Sequence, residues 1–372
     1  MLWTGTDAHL SLRSVAKRCS MPARVDGSAG RHVRRLFALV EREFTMFRRA
    51  AILGLALGAV ATSTAAFAQT IPTIRVGWTI PAEEAKYWMM KRPEKFPNLG
   101  KVYNIEWSQF NGTSPMSAAM QAGALDCATQ GVLPIAQGMA TGNLDLYVVA
   151  QHVGERPGSF SVYWAVKDDS PIKTVADLKG KTVAISVIGG GTHGPFAMML
   201  RKNGVDPEKD IKLVEVGFAL SEDAVRSGRV DAANMNQPFA ARSEAKGGLR
   251  KLFSLSEAVP NIVHILEACR KDFVNKNPEL ASAYVKDITA AMKMAVENRD
   301  ETMKVVSEVM KAPIPVLDTY LLKSNDFARE PGAAPNFDGI QAMFDVYTEN
   351  KMLPKKLDAA TLKHPKIVAP MQ

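Results

Sequence analysis

The residues best suited to chemistry form a glycine-rich turn, Gly189-Gly190-Gly191-Thr192-His193-Gly194. This turn has the spacing G-x-G-x-x-G, follows a strand-like segment and opens a helix, and Glu215 ends the next strand, as in a dinucleotide fingerprint with its ribose-binding acid. The physical basis is more general, because glycines let backbone N–H groups approach an anion at a helix amino terminus. The turn predicts a site for a sulfonate, carboxylate or phosphate, with a dinucleotide or a plain turn as alternatives.

Other motifs of catalysis are missing. The segment Lys179-Gly180-Lys181-Thr182 ends like a phosphate-binding loop, but Val175 stands where that loop needs its first glycine. Neither G-x-S-x-G nor H-E-x-x-H occurs, and the histidines after position 68 are scattered. We therefore expect no enzyme activity, no cofactor and no metal.

The glycine-rich turn belongs to the second of two similar units. Residues 119–128 and 224–233 share one pattern: Ala, apolar, two variable, Gly, variable, apolar, Asp, variable, Ala. In each copy a helix is expected to end at a left-handed glycine, and the aspartate opens the turn before a strand.

Each unit is predicted to have the order β-α-β-α-β. Strands are predicted at 73–77, 103–109, 182–187 and 211–216, and helices near 81–90, 115–122, 195–203 and 221–227. Such alternation indicates two α/β lobes, each a parallel-dominated sheet flanked by helices. Long amphipathic helices are expected from about Pro278 onwards.

Ligands of open α/β sheets bind beyond the carboxyl ends of the strands. Three loops in each lobe satisfy this condition, so we expect a ligand cleft between the lobes, formed by 78–80, 110–114, 130–134, 189–193, 217–221 and 234–238.

The amino-terminal region predicts export. A basic start at Met46–Arg49, an apolar run over Ala50–Ala61 and an A-x-A site at Ala66–Ala68 form a signal peptide over about 46–68, with a membrane anchor as the alternative. The mature chain would begin at Gln69, in the periplasm, and no cysteine follows the cleavage site to carry a lipid. Residues 1–45 are interpreted as an extension before a true start at Met46.

Removing this region changes the meaning of the net charge. Residues 1–68 hold ten Lys or Arg and four Asp or Glu, which accounts for six of the eight net positive charges, so the remainder carries about +2. No basic block survives in the remainder, and we expect no nucleic-acid partner. Cys127 and Cys269 have no metal-site spacing; we expect two buried free thiols, with a disulfide as the alternative.

The segment Pro171–Ala184, the glycine-rich turn and Gly228–Ala232 together resemble the periplasmic solute-binding proteins of nitrate, sulfonate and taurine ABC importers, which have a related thiamine-pyrimidine branch. The similarity runs from about Ile74 to Phe253. It implies a two-lobed periplasmic-binding-protein fold of type II. Lobe 1 would comprise residues 70–155 and 265–372, lobe 2 residues 156–264, and hinges would lie near 152–158 and 259–265.

The resemblance implies a monomeric binding protein, not an enzyme, that captures a small organic anion and delivers it to transmembrane permease subunits. The anion would be a sulfonate or carboxylate, aliphatic or aromatic. An exported NAD-dependent oxidoreductase, or a binder of nitrate or of a thiamine-pyrimidine precursor, is the alternative. The implied ligand-binding residues are Trp78, Thr79, Asn111, Gly112, Thr113, Gln130, Gly131, Gly190, Gly191, Thr192, His193 and Gln237.

Overall fold

Two five-stranded sheets carry the fold of residues 70–370, the part of the chain that the computed structural model describes. The predicted signal peptide and start site lie outside these residues. The first sheet has the order β2-β1-β3-β10-β4, with β1 Thr73–Trp78, β2 Asn104–Gln109, β3 Cys127–Gln130, β4 Leu146–Glu155 and β10 Ile262–Arg270. The second has the order β7-β6-β8-β5-β9, with β5 Tyr163–Lys167, β6 Thr182–Ile185, β7 Lys212–Glu215, β8 Ala232–Met235 and β9 Leu249–Ser254.

Helices flank both sheets. They are α1 Glu84–Lys91, α2 Thr113–Gln121, α3 Val132–Thr141, α4 His193–Lys202, α5 Phe218–Arg226, α6 Phe239–Lys246, α7 Lys271–Lys276, α8 Pro278–Glu297, α9 Arg299–Met310, α10 Ile314–Asp318 and α11 Phe337–Glu349. Short 3-10 turns occupy Pro93–Lys95, Val175–Leu178, Leu255–Glu257 and Ala359–Leu362. Among the described residues, no helix is both long and apolar enough to cross a membrane.

The predicted duplication is present in the structure. The first unit runs β1-α1-β2-α2-β3 and the second β6-α4-β7-α5-β8, and the strand orders 2-1-3 and 7-6-8 correspond. Gly123 and Gly228 follow the helices α2 and α5 with φ of +72° and +74°, the left-handed conformation that glycine adopts without steric cost.

The repeated aspartates have the same role in both units. Asp126 accepts a hydrogen bond from the Arg75 N–H at 3.0 Å, and its own N–H donates to the Arg75 carbonyl at 2.9 Å. Asp231 is related to Thr182 in the same two ways, each at 2.8 Å. The aspartate therefore ties the start of the third strand to the first strand of its unit.

Both sheets are mixed, with as many antiparallel as parallel strand pairs, whereas the sequence predicted that parallel pairs would dominate. In the first sheet β1 pairs in parallel with β2 and β3, whereas β10 runs antiparallel to β3 and β4. The second sheet has the same balance, with β5 antiparallel to β8 and β9. The antiparallel strands flank the two crossings between the sheets, which periodicity within one unit does not reveal.

Stacked aromatic rings fix α4 on the second sheet. The Trp164 ring stacks on Phe196 of α4 at 4.5 Å and on Phe253 at 5.3 Å, and the two phenylalanine rings are 6.3 Å apart. The Trp164 indole N–H donates to the Ala184 carbonyl at 2.9 Å. All three rings are buried. Because Phe196 is in the first turn of α4, this stack sets the position of the glycine-rich turn.

Cys127 and Cys269 form a disulfide, so the expectation of free thiols was wrong. They are directly opposite each other in the antiparallel pair of β3 and β10. This register brings together two residues that are 142 positions apart, which their spacing in sequence does not show.

Replacing both cysteines with alanine is expected to lower the free energy of unfolding by about 2–5 kcal/mol, because the bond closes a long loop in the unfolded chain. Urea denaturation of the double variant and of reduced wild-type protein measures this loss. The two should agree within about 1 kcal/mol, since the side chains are buried and similar in size. Equal stability of oxidised and reduced protein would contradict the expectation.

Candidate functional site

The loops at the carboxyl ends of the strands meet between the two sheets. They enclose a cavity of about 50 Å³, which adjoins a wider cleft of about 460 Å³. Thr79, Asn111, Val187 and Phe218 line both spaces. Loops of both copies of the repeated unit therefore form the site.

The structure brings part of the predicted site together. The predicted residues that line the inner cavity are Thr79, Asn111, Gly112, Thr113, Gly190, Gly191 and Thr192. Those that do not line it are Trp78, Gln130, Gly131, His193 and Gln237. The binding roles of all twelve remain predictions.

The two sets of loops are in direct contact. The Gly191 N–H donates to Thr113 Oγ1 at 3.2 Å, and Ser114 Oγ donates to the Ile188 carbonyl at 3.2 Å. A Cβ atom built on Gly131 would lie 2.6 Å from the Gly191 Cα atom. Glycine at position 131 therefore permits a backbone approach that any side chain would block.

The glycine-rich turn stabilises itself and leaves a donor free at the start of α4. The Gly189 N–H donates to His193 Nδ1 at 2.8 Å, and the His193 N–H donates to the Gly190 carbonyl at 3.0 Å. The preceding residue, Thr192, makes no side-chain cap. The N–H groups of Gly191, His193 and Phe196 donate to Thr113, Gly190 and Thr192, and Pro195 has no N–H group. The Thr192 N–H, which has no partner among the described residues, is available to a ligand at the end of the helix that favours negative charge.

His193 supports this turn as a neutral acceptor. Burial, followed by the Arg201 guanidinium, lowers the pKa of its imidazole. Because Nδ1 already accepts from Gly189, the side chain acts on a ligand through the shape of the turn.

Three of the other predicted residues have structural partners. Gln237 Oε1 accepts from the Ala241 N–H at 3.2 Å in α6. Gln130 Oε1 accepts from Ser117 Oγ at 2.6 Å, and the Trp78 ring packs edge-on against Tyr87. These three side chains therefore contact residues outside the inner cavity.

Asn236 lines the cavity in place of its neighbour Gln237. Its Oδ1 accepts from the Gln237 N–H at 2.8 Å, so the amide NH₂ group is available to a ligand. Strand β8 ends one residue before Asn236, which makes this residue the first in the loop at the carboxyl end of the strand.

Sequence reasoning missed several lining residues. Ile80, Phe218 and Asn236 lie in the predicted cleft loops but were not among the predicted ligand-binding residues, and outside those loops are Pro81, Ser186, Val187, His264 and Ile265. The last two belong to β10, which returns from the other sheet and shows no ligand signal in its sequence. The wider cleft adds the apolar side chains Phe110, Leu220 and Phe239, which indicate room for an apolar ligand group.

The cleft is poor in charge. No Lys or Arg lines either space among residues 70–370; the titratable side chains there are Glu215 and His264. Glu215 Oε1 accepts from the Ile188 N–H at 2.7 Å and so supports the glycine-rich turn. The same described residues contain no group of three or more His, Cys, Asp or Glu that could hold a metal.

A buried polar network supports the loop after β1. Glu83 Oε1 accepts from the Thr79 N–H at 3.0 Å, and Lys86 Nζ lies 3.5 Å from Glu83 Oε2. Lys86 Nζ also pairs with Glu267 at 2.7 Å and donates to Thr129 Oγ1 at 2.6 Å. The network connects the cleft loop to β3 and β10.

A family model described as NMT1/THI5 like matches residues 109–302, more than half of the chain. The chain belongs to the NMT1/THI5-like family. The matched segment of this family member begins at the end of β2 and ends in α9, so it includes the glycine-rich turn, Asn236 and His264.

Individual proteins similar to this NMT1/THI5-like protein are described as sulfonate- or nitrate-binding proteins. An Escherichia coli (strain K12) protein described as binding aliphatic sulfonates is 27% identical over 254 residues, which are 68% of this chain and 77% of the relative. The crystal structure of the periplasmic aliphatic sulphonate binding protein SsuA from Escherichia coli superposes with a TM-score of 0.61 and 23% identity, over 80% of this chain and 98% of that one.

The periplasmic nitrate-binding protein NrtA from Synechocystis PCC 6803 superposes with a TM-score of 0.62 and 17% identity, over 78% of this chain and 84% of that one. These structures confirm the predicted two-lobed periplasmic-binding-protein fold. The resemblance to sulfonate- and nitrate-importer binding proteins is confirmed as well.

Proposed function

We propose that this protein captures a small organic anion between two lobes and delivers it to the permease of an ABC importer, without chemistry on the ligand. The observation that carries the proposal is the inner cavity, which residues of both sheets line and the amino terminus of α4 faces. Binding there would hold the lobes together, and the closed form would dock on the permease.

The shape of the cleft supports a sulfonate or carboxylate with an apolar remainder. The acidic group would accept hydrogen bonds from the Thr192 N–H and from the amide of Asn236 in the inner cavity. The remainder would lie in the wider cleft against Phe110 and Phe218. Two spaces of different polarity thus match two parts of one ligand.

We propose the lobe boundaries from sheet membership. The predicted lobes were 70–155 with 265–372 and 156–264, with hinges near 152–158 and 259–265. Because β10 begins at Ile262 in the first sheet, the second boundary would lie between 261 and 262, and the crossings 156–162 and 255–261 would act as the hinges. Helix α11 belongs to lobe 1 by these boundaries but also contacts lobe 2, because Tyr347 packs against Gly194 of α4.

We propose that the protein works in the periplasm as a monomer, exported by the signal at 46–68. The disulfide between Cys127 and Cys269 supports export, since such bonds persist in oxidising compartments.

A thermal-shift screen of the purified protein tests the proposal. The panel contains benzenesulfonate, butanesulfonate, benzoate, nitrate, a hydroxymethylpyrimidine and NAD, each in excess. A ligand present at 100 times its Kd is expected to add about 2.7 kcal/mol to the free energy of unfolding. We expect a sulfonate or carboxylate to give the largest shift.

The other panel members represent the rival functions. Stabilisation by NAD alone would overturn the binding-protein proposal in favour of an oxidoreductase using the glycine-rich turn and Glu215. Stabilisation by nitrate or the pyrimidine alone would keep a binding protein but reject the organic anion.

Replacing Thr113 with valine is expected to weaken binding of benzenesulfonate by about 3-fold to 10-fold. Valine has nearly the same shape but cannot accept the Gly191 N–H, so the closed cleft loses one hydrogen bond between the lobes. Isothermal titration calorimetry measures the change in Kd.

Ser114→Ala is the matched control. Ser114 also bonds across the cleft, to Ile188, but at an exposed position where water replaces the lost donor. We expect a change below about 2-fold. Equal effects of the two substitutions would show that the bond between Thr113 and Gly191 has no special part in closure.

A further inference from the structure

His264 is the cleft-lining side chain that can become a cation. Its ring lies on β10, is 5% exposed and stacks on Phe327 at 5.5 Å and 19°, which fixes the ring plane. Nδ1 is buried, makes no hydrogen bond among the described residues, and lies 3.6 Å from Glu155 Oε1. Because His264 lines the inner cavity, a molecule bound there would meet the other ring nitrogen, Nε2.

Glu155 ends β4, next to the first crossing between the sheets. Its carboxyl group is buried and accepts from Ser161 Oγ and from the Val162 N–H, both of which belong to that crossing. His264 belongs to the strand that follows the second crossing. The pair therefore joins the two chain segments about which the lobes would move.

Other charged groups near this pair are engaged elsewhere. Asp326, next to the stacked Phe327, pairs with Arg329, and Glu267 on β10 pairs with Lys86. Helix α3 has no titratable residue. The acidic residues of α11 are exposed: Asp338, Asp345 and Glu349. Glu155 is thus the titratable partner that faces His264.

Burial favours the neutral form of both groups of this pair. Burial raises the pKa of Glu155 to about 8, although Ser161 and Val162 oppose the shift. Burial lowers the pKa of His264 to about 4. The proton is therefore on the carboxyl group, and the imidazole is neutral.

We propose that capture of an anion moves one proton from Glu155 to His264, so that the cleft forms its cation only when an anion is bound. The O–H bond of the Glu155 carboxyl group breaks and an N–H bond forms at His264 Nδ1. The imidazolium Nε2–H then donates to the anion, and Ser161 and Val162 continue to donate to the new carboxylate. The proposal rests on the proposed function of anion capture.

The transfer requires a small movement. The separation of 3.6 Å must shorten to about 2.8 Å, the length of a charge-assisted hydrogen bond. The resulting ion pair links both crossings, so the charge of the ligand itself would favour closure. A neutral molecule of the same shape would induce no proton transfer. Its binding would therefore gain neither the imidazolium hydrogen bond nor the ion pair between His264 and Glu155.

Calorimetry with benzenesulfonate and the uncharged benzenesulfonamide tests the proposal on purified wild-type protein. Affinity for the sulfonate should be constant between about pH 6 and 7.5 and fall by up to about 10-fold per pH unit above 8, because the free protein then lacks the proton. Affinity for the sulfonamide should stay constant up to pH 9. Proton uptake, measured in buffers of different ionisation enthalpy, should be near zero at pH 6.5 and approach one at pH 9.

Two variants separate the partners. Glu155→Gln retains hydrogen-bonding groups but cannot supply a proton, so sulfonate binding should take up nearly one proton from solvent at pH 6.5. His264→Gln should bind the sulfonate about 10-fold to 100-fold more weakly, as expected for a lost bond to a charged group, and the sulfonamide within about 2-fold of wild type. Its proton uptake should be zero at both pH values.

Wild-type affinity for benzenesulfonate that does not change between pH 6.5 and 9 would overturn the proton transfer and leave anion capture intact. Absence of binding by benzenesulfonate, together with no stabilisation by any other anion of the screen, would reject both proposals.

Discussion

Replacing Gly131 with alanine is expected to weaken benzenesulfonate binding by at least about 100-fold, or about 2.7 kcal/mol, without unfolding the protein. The new Cβ atom would lie 2.6 Å from Gly191 Cα and 3.0 Å from Gly191 N, both of which are backbone atoms of the opposite loop. These atoms cannot rotate away as a side chain would. The loops must separate by about 1 Å to reach van der Waals contact.

That separation would break the bond from the Gly191 N–H to Thr113 and open the inner cavity. The fold should be unaffected, because Gly131 has φ −100° and ψ 159°, an extended conformation that alanine adopts readily. Thermal unfolding without ligand should therefore stay close to that of wild type, and calorimetry should show the lost affinity.

Gly217→Ala is the matched control for this substitution. Gly217 precedes α5 and lines the wider cleft, has φ −55°, and a Cβ atom there would meet no protein atom within 4 Å. We expect nearly wild-type affinity from this variant. Binding by Gly131→Ala within about 2-fold of wild type would show that closure does not need the approach of these two loops.

Replacing Lys86 with methionine is expected to lower the free energy of unfolding by about 3–5 kcal/mol, the loss found when one partner of a buried ion pair is removed. The ammonium group is fully buried and serves both Glu267 and Glu83. Methionine fills the space but leaves the buried carboxyl groups of Glu83 and Glu267 without their lysine partner.

The loss in free energy of unfolding caused by Lys86→Met should increase with pH. Burial acts to raise the pKa of Glu267, but Lys86 and His152 outweigh it and hold the pKa below its ordinary value. Such a group stabilises above its unfolded pKa and loses that contribution as pH falls through the folded pKa. Burial already raises the pKa of Glu83, and without Lys86 both carboxyl groups would resist ionisation. Stability of the variant would then be lost as pH rises.

Urea denaturation at pH 5 and pH 8 measures both effects, and a larger deficit at pH 8 is expected. Lys293→Met is the control, because Lys293 pairs with Glu297 on the exposed face of α8 and such pairs contribute at most about 1 kcal/mol. Equal effects of the two lysine substitutions would contradict the importance of the buried network.

The duplicated architecture was predictable because it depends on local patterns. Gly123 and Gly228 terminate helices, and Asp126 and Asp231 bond to the first strand of their own units. These interactions lie within about fifty residues of chain, and their spacing repeats. The glycine-rich turn was predictable for the same reason, since its conformation depends on adjacent residues.

Features that depend on distant parts of the chain were not predictable. The disulfide requires the register of β10 on β3, and the place of His264 in the cleft requires that β10 return to the first sheet. The choice between Gln237 and Asn236 depends on where β8 ends, by a single residue. A loop motif therefore identified the region of the site, and tertiary structure determined its lining.

The crystal structure of the protein bound to benzenesulfonate tests the central claim most directly. The sulfonate oxygens should lie within about 3.2 Å of the Thr192 N–H at the start of α4 and of His264 Nε2, with the ring beside Phe218 in the wider cleft. Density for the ligand away from the loops between the two sheets, or bound to one lobe with the loops apart, would contradict capture between the lobes.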